Sequence, residues 1–348
     1  MTIIGGLDVH RAQITFDYLD TETGEIFTGQ IRPASRSAFR EWLGGRRFGG
    51  CADVRLAVEG CTGWRFIVEE IQRAGVRPHL AEPAETASRR GRKRRAKTDK
   101  ADARLLRNLL LEDRLPESWI PPQLVLEARI LARLYLSLSA DRSAWLQRIH
   151  AQLYHQGVPA IETLLTGDGC AKLVEAALSP AGRQAVLTAT ATIQALDQQR
   201  EPLRAQLQAL ARRLPGPRAL TAHFGIGPLT AAVIWCEMGD CQRFRNSDQV
   251  VRLAGLDVTV WASDSKRSPG RLARQGSPTL RWALFEAAKT SARPASPDYD
   301  FYEATRQRLD AKRATLSVAR KLARRCYHTL RDLGAEAISD ADETTQAA

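Results

Sequence analysis

Four carboxylates in the first third of the sequence have the residue type and the placement to hold hard cations. Asp8 sits in Gly-Leu-Asp-Val-His, inside a stretch that reads as a strand. A charge there is unusual, because strand interiors beside a hairpin usually face a core. Glu59 ends a second apolar strand, in Val-Glu-Gly-Cys-Thr-Gly. Asp99 and Asp102 stand three apart in Lys-Thr-Asp-Lys-Ala-Asp-Ala, which puts both on one face of a helix. Thr98 or Asp99 also suits a helix N-cap, and Glu59 suits a strand-end surface position, so each residue taken singly says little. Together, four carboxylates from two strands and one helix can converge on a pair of Mg²⁺ or Mn²⁺ ions, whose hardness matches oxygen ligands. Two such ions about 3.5–4 Å apart clamp both the entering and the leaving oxygen of a phosphodiester exchange.

A basic run leads straight into those aspartates. Residues 89–97 contain Arg89, Arg90, Arg92, Lys93, Arg94, Arg95 and Lys97, seven cations among nine residues. A localisation signal or a plain solvated loop is the ordinary reading of such a run. Beside a carboxylate cluster, phosphate neutralisation is the stronger one; such contacts are salt-sensitive and carry little sequence information. The whole chain points the same way. Lys plus Arg number 51 against 39 Asp plus Glu, a net charge of +12, and arginine predominates. Its planar fork suits phosphate better than lysine's point charge does, so a nucleic-acid partner is expected.

A second set of candidates lies near the C-terminus. Gly225-Ile226-Gly227-Pro228 is a tight turn with proline placed for a first helical turn, and it resembles a helix-hairpin-helix motif. Free N–H groups around Gly225 and Gly227 could meet a backbone phosphate, or the turn could be an ordinary connection. Further on, Ala254-Gly255-Leu256 precedes Trp261-Ala262-Ser263-Asp264-Ser265-Lys266-Arg267. Two serines there stand among Lys266, Arg267, Arg271 and Arg274, cations able to neutralise a phosphate and the charge developing on it.

The elements that must position these residues can be read from period and punctuation. Residues 1–19 read as a strand, Thr21–Gly24 as a turn and Glu25–Ile31 as the returning strand of a hairpin. Ser35 caps a short helix, 54–58 form a third strand, 63–74 a helix and 76–81 a further strand. A helix from about Thr98 to Leu111 completes an α/β domain over 1–115. Residues 116–215 read as a helical or coiled-coil arm, built on long helices at 124–156 and 185–213, with a leucine spacing through Ile193, Leu203 and Leu207 that serves either a partner or the chain itself. Pro215-Gly216-Pro217 ends the arm. A mainly helical domain over 216–335 follows, and 336–348 reads as a disordered acidic tail. The six cysteines form no Cys-x-x-Cys pair, so neither a zinc site nor a disulfide framework is expected. No apolar run approaches the ~20 residues of a membrane span, and the start lacks the pattern of a signal peptide. A cytoplasmic protein with no membrane partner is the resulting expectation.

GLDVH at 6–10, VEGCTGW at 58–64 and KTDKADARLL at 97–106 resemble the RuvC-like, RNase H-like DEDD domain of the insertion-sequence 110 transposases. The run from about Ala219 to Ala288 resembles the C-terminal transposase domain of the same family, through its Gly-x-Gly-Pro-x-Thr-Ala core, the Phe-Arg run to Ala-Gly-Leu, and the Gly-Arg run to Leu-Arg. The resemblance implies a metal site made by Asp8, Glu59, Asp99 and Asp102. It also implies a serine nucleophile a few residues after Ala-Gly-Leu, which places it at Ser263. Asp264 stands where the family usually has glycine, which leaves Ser265 as a competitor. Cut-and-rejoin transposition of donor into target DNA, a homo-oligomer (dimer or tetramer) and a structured guide RNA are further implications. Two rivals remain at this point: a junction-resolving endonuclease that uses activated water, and a non-catalytic nucleic-acid-binding protein.

Overall fold

The computed structural model describes residues 2–45, 48, 53–89, 98–259, 262–263, 266–267 and 271–340. The chain divides into two compact units, Met1–Ile120 and Pro121–Ala348.

The first unit is a mixed sheet with helices. Strands β1 (Thr2–Val9), β2 (Ile14–Asp20) and β3 (Ile26–Ile31) form an antiparallel meander. Helix α1 (Arg36–Leu43) leads to β4 (Asp53–Glu59), α2 (Trp64–Arg73), β5 (Arg77–Ala81), α3 (Pro83–Ser88) and α4 (Asp99–Leu111). The strand order is β3-β2-β1-β4-β5, with β4 parallel to β1 and β5 parallel to β4. This α/β unit, with an aspartate on its central strand, fits the RNase H-like expectation. Residues 1–19 are two strands rather than one: the alternation that looked continuous is broken by a turn, in which the His10 N–H bonds the Gln13 carbonyl. Ser35 caps α1 and Thr98 caps α4, each side-chain oxygen accepting a backbone N–H three residues on.

One face of the sheet packs on α1 and α2 through Leu7, Phe39, Leu56, Ile67 and Ile71, all fully buried. The other face receives α4 through Ile4, Ala57, Ala81, Leu106 and Leu110. Asp17 of β2 and Arg107 of α4 form a buried ion pair that fastens this helix to the sheet.

The second unit is helical, with two small strand pairs. It contains α5 (Gln123–His155), α6 (Asp168–Glu175), α7 (Pro180–Arg213), α8 (Pro215–Leu220), α9 (Pro228–Met238) and α10 (Ser247–Leu253). Then come β6 (Val258–Thr259), β7 (Ala262–Ser263), β8 (Lys266–Arg267), β9 (Arg271–Leu272), α11 (Pro278–Ala288), α12 (Tyr299–Arg308) and α13 (Ala311–Leu333). Helices α5 and α7 pack along each other, and α6 closes the apolar cluster at Ile149, Leu153, Leu173, Val186 and Ile193. Ile193 and Leu207 are buried by the chain's own helices, whereas Leu203 is half-buried. Helix α9 is buried on every side from Ala231 to Met238, as a helix with apolar residues on nearly every face must be; Glu237 is the charged exception.

Two boundaries differ from the sequence reading. Pro215-Gly216-Pro217 opens α8 rather than only ending the arm; proline fits a first helical turn as well as it stops the preceding helix. The stretch expected to be disordered from residue 336 is packed through Asp340. Ala337 is fully buried, its carbonyl accepts the Trp235 indole N–H, and Arg213 pairs with Asp340. Its small residues are what allow that close packing. Residues 341–348 lie outside the described residues.

Candidate metal centre

The centre is built where α4 crosses β1. Alternation along β1 turns Gly6, Asp8 and, just past the strand end, His10 toward α4. Gly6 permits close approach of the helix: a side-chain carbon there would sit 2.1 Å from the Ala103 carbonyl oxygen and 2.6 Å from the Arg107 nitrogen. The N-terminus of α4 therefore meets the C-terminal end of β1. The ligand atoms of Asp8, His10 and Asp99 all lie within 4.8 Å of one another. His10 Nε2 is 3.1 Å from Asp8 Oδ2 and 3.4 Å from Asp99 Oδ1. Gln13 Nε2 donates to Asp99 Oδ2 at 3.0 Å, and the Arg32 guanidinium in turn holds Gln13 Oε1.

Asp8 is 7 % exposed. Burial pushes its carboxyl up from the ordinary value; His10 pulls it back, and the negative charges of Asp99 and Asp102 push it up again. Asp102 thus acts on the same carboxyl as Asp99, one turn along α4. Glu59 ends the neighbouring strand β4, one residue past the Leu7–Val58 pair, and is not among the residues whose ligand atoms come together with Asp8. Burial raises the Cys61 thiol, and the charges of Glu59 and Asp8 add to that rise. Of the four carboxylates foreseen in the sequence, Asp8 and Asp99 come together with His10; Asp102 acts on Asp8 by its charge, and Glu59 shares with Asp8 an influence on Cys61.

The donor set fits a hard divalent cation, since the carboxylates supply anionic oxygens at a buried strand end. Thr15 supports that fit. It pairs directly with Asp8 across β1 and β2, its side chain is fully buried, and its hydroxyl has no hydrogen-bond partner. A buried hydroxyl beside a ligating carboxylate can orient it, as outer-shell partners of metal ligands do. A cleft of about 580 Å³ opens beside the cluster, lined by Val9, His10, Arg11, Cys61, Thr62 and Phe66 among others.

His10 and Gln13 were not foreseen. The two-residue spacing from Asp8 to His10 was the available signal, since it puts both side chains on one face of a strand. The turn that brings Gln13 back to Asp99 has no comparable signature.

The remaining candidates divide. Arg89 donates to the Arg114 carbonyl within the first unit. Arg90, Arg92, Lys93, Arg94, Arg95 and Lys97 lie outside the described residues, as does Ser265. Ser263 is in the second unit, where its backbone pairs with Lys266 while Ala262 pairs with Arg267. Arg271 pairs through its backbone with Thr259, and Arg274 is exposed with φ of +54°. Gly227 is the N-cap of α9 and exposed. Gly225, at φ +85°, has a packing reason to be glycine: a side-chain carbon would sit 2.2 Å from Thr290 Oγ1 and 2.6 Å from the Ala287 carbonyl oxygen.

Residues 5–156 match the DEDD transposase family of IS110, and residues 217–303 match the transposase family of IS116, IS110 and IS902. A protein named as a transposase, y4rJ, from Sinorhizobium fredii is 31% identical over 247 residues, covering 64% of this chain and 62% of that relative. A 43.6 kDa protein of insertion element IS110 from Streptomyces coelicolor is 33% identical over 146 residues, covering 40% of this chain and 35% of its own. The chain thus spans less than two thirds of the length of either relative. Among the described residues no helix is long and apolar enough to cross a membrane. Two family matches in the expected order, one over the carboxylate cluster and one over the serine region, establish that the chain belongs to the IS110 family of transposases.

Proposed function

We propose that this protein cuts and rejoins DNA strands to move an insertion element, with Asp8, Glu59, Asp99 and Asp102 as metal ligands and Ser263 as the attacking group. The observation that carries the reading is the meeting of Asp8 and Asp99 where α4 crosses β1, with Asp102 one turn further along the same helix. When bound there, Mg²⁺ or Mn²⁺ supplies charge neutralisation at a phosphate under attack.

The chain's own groups do the rest. Asp8, buried and charged beside other carboxylates, is costly without a cation, which favours metal binding. His10 bridges Asp8 and Asp99 and holds the two carboxylates together; these carboxylates would hold the ion. The adjoining cleft admits the nucleotide flanking the scissile phosphate. As the Ser263 oxygen bonds to phosphorus, its proton is lost to solvent, the bond to the departing nucleotide oxygen breaks, and that oxygen takes up a proton to leave as a free hydroxyl. The resulting serine ester keeps the bond energy of the phosphodiester, so a hydroxyl of the second DNA can reverse the step and join the strands.

The domain division follows the same reading: a DEDD catalytic domain over 1–115, an arm over 116–215 and the serine-bearing domain over 216–335. The basic run at 89–97, with Lys266, Arg267, Arg271 and Arg274, tracks phosphates of donor and target DNA and of a structured guide RNA. Assembly as a homo-oligomer lets the carboxylates and the serine come from different copies. The site of action is the nucleoid of a prokaryotic cytoplasm.

The test is incubation of the protein with the DNA ends of its own element, with and without Mg²⁺. A metal-dependent covalent protein–DNA adduct that resolves into joined strands is the expected outcome. Nicking with no adduct would replace this reading with that of a metal nuclease, and binding without any cleavage would leave only a nucleic-acid-binding protein.

A further inference from the structure

We infer that Glu237, through Ser277, is the positioning residue that fixes the root of the segment carrying Ser263; this rests on the reading of Ser263 as the attacking group. Glu237 is a carboxylate on the otherwise apolar helix α9, and only 4 % of it is exposed. An isolated buried charge is costly, so its partners must be specific. Arg133 of α5 grips it with two bonds, Nε to Oε1 at 2.9 Å and a terminal nitrogen to Oε2 at 3.2 Å. Arg129, one turn earlier, donates to the Cys236 and Glu237 carbonyls. The remaining bond comes from Ser277, whose hydroxyl donates to Oε2 at 2.9 Å.

Ser277 is where the serine segment ends. Its hydroxyl accepts the Leu280 N–H as the N-cap of α11, and its own N–H bonds the Leu253 carbonyl at 2.7 Å. The same stretch of chain is held on the entering side, where Arg281 donates to the Ala254 carbonyl and Arg320 to the Leu256 carbonyl. Between them Ala273 bonds Asp257, and Val258 pairs with Leu272. Gly276, at φ +114°, allows the two ends to touch: a side-chain carbon would sit 2.3 Å from the Leu253 carbonyl oxygen. The segment thus leaves and rejoins the helical unit at one stitched root. Glu237 is the point at which that root is tied to α5 and α9 by charge-assisted hydrogen bonds, the stronger kind.

A cap alone does not need Glu237, because aspartate caps a helix as well as serine does. Ser277→Asp therefore separates the two roles: it keeps the cap and sets a carboxylate against Glu237. Ser277→Thr keeps both contacts. The double variant Ser277→Asp/Glu237→Gln restores the contact with its polarity reversed, the amide donating to the new carboxylate. The readouts are amide hydrogen exchange over residues 271–280, which needs no activity, and the single-turnover rate of adduct formation on the element-end DNA.

Ser277→Asp is expected to speed exchange at least tenfold and slow adduct formation at least tenfold, with DNA affinity within twofold of the parent. Ser277→Thr and the double variant are expected to return both toward the parent. Parent-like exchange and rate in Ser277→Asp would overturn the inference, as would a double variant no better than the single. If the parent forms no adduct while exchange responds as expected, the serine reading fails and the Glu237–Ser277 tie stands.

Discussion

Gly6 lies so close beneath α4 that a side-chain carbon on it would sit 2.1 Å from the carbonyl oxygen of Ala103. This contact sets the height of the helix above β1, and so the gap between Asp99 and Asp8. Nothing flexible stands in the way, because the two nearest atoms are backbone and the third is the Leu106 Cβ, fixed to the same helix. Gly6→Ala must therefore lift α4 or tilt its first turn. Overpacking of this kind costs about 1–3 kcal/mol. The expected result is a lower urea midpoint together with at least tenfold weaker Mn²⁺ binding by titration calorimetry. Metal affinity equal to the parent's would show that the helix height does not set the site.

The carboxylates give a sharper expectation. Asp8→Asn, Glu59→Gln, Asp99→Asn and Asp102→Asn each keep size and shape while removing a charge. Each is expected to lower strand cleavage by at least a hundredfold. Asp8→Asn should be at least as stable as the parent in the absence of metal, because it removes a buried, raised-pKa carboxyl flanked by Asp99 and Asp102. Calorimetric melting and a cleavage assay on the same preparation check both halves. Full cleavage in excess chelator, or in any of the four variants, would exclude a metal centre at this place.

Acid stability should depend on a group far from the chemistry. Glu70 of α2 has a fully buried side chain and is held by Arg36, Arg40 and Arg73, with Arg40 Nε 2.9 Å away. Hydrogen bonds from Arg40, ahead of those from Arg36 and Arg73, hold its carboxyl down at about 2. A folded value below the unfolded one stabilises above the unfolded value and is lost as pH falls through the folded one. The window is thus from about 4.5 down to about 2. The three arginines are half exposed, so solvent screening limits the contribution. Denaturant midpoints of the parent and Glu70→Gln should differ at pH 7, and the difference should shrink below about 4.5 and close as pH falls toward about 2. A difference independent of pH would assign the effect to packing.

The first unit was legible because each of its elements carries a local signal. Ser35 and Thr98 announced their helices, and the Asp99–Asp102 spacing announced a shared face. What stayed hidden was long-range. The closeness of Gly6 to Ala103 depends on a register that no short window contains. The bond from Gln13 to Asp99 joins residues far apart in sequence across a turn that period alone merged into one strand. In the second unit, apolar spacing at Ile193 and Leu207 predicted helices but could not say whether the chain or a partner buries them, since both offer the same apolar surface. Glu237 was invisible as a site because one carboxylate in an apolar helix looks like any other until its arginines and Ser277 are placed around it.

Ser263 and Ser265 remain to be told apart by chemistry. Ser263 follows Ala254-Gly255-Leu256 at the distance the family resemblance requires, with no insertion to absorb. Ser265 needs a shift of two residues, though it stands nearer Lys266 and Arg267 in sequence. The backbone of Ser263 pairs in register with that of Lys266. Attack requires one hydroxyl held at a phosphate, and preorganisation of this kind is worth several orders of magnitude in rate. Ser263→Ala is therefore expected to remove the covalent adduct while DNA affinity stays within twofold. Ser265→Ala is expected to slow adduct formation by less than tenfold. Ser263→Cys should retain a trace of activity, because a thiolate can reach phosphorus from nearly the same position. Mass spectrometry of the trapped, protease-digested adduct gives the decisive reading. A nucleotide on Ser263 supports the assignment, and a nucleotide on Ser265, or on neither serine, ends it.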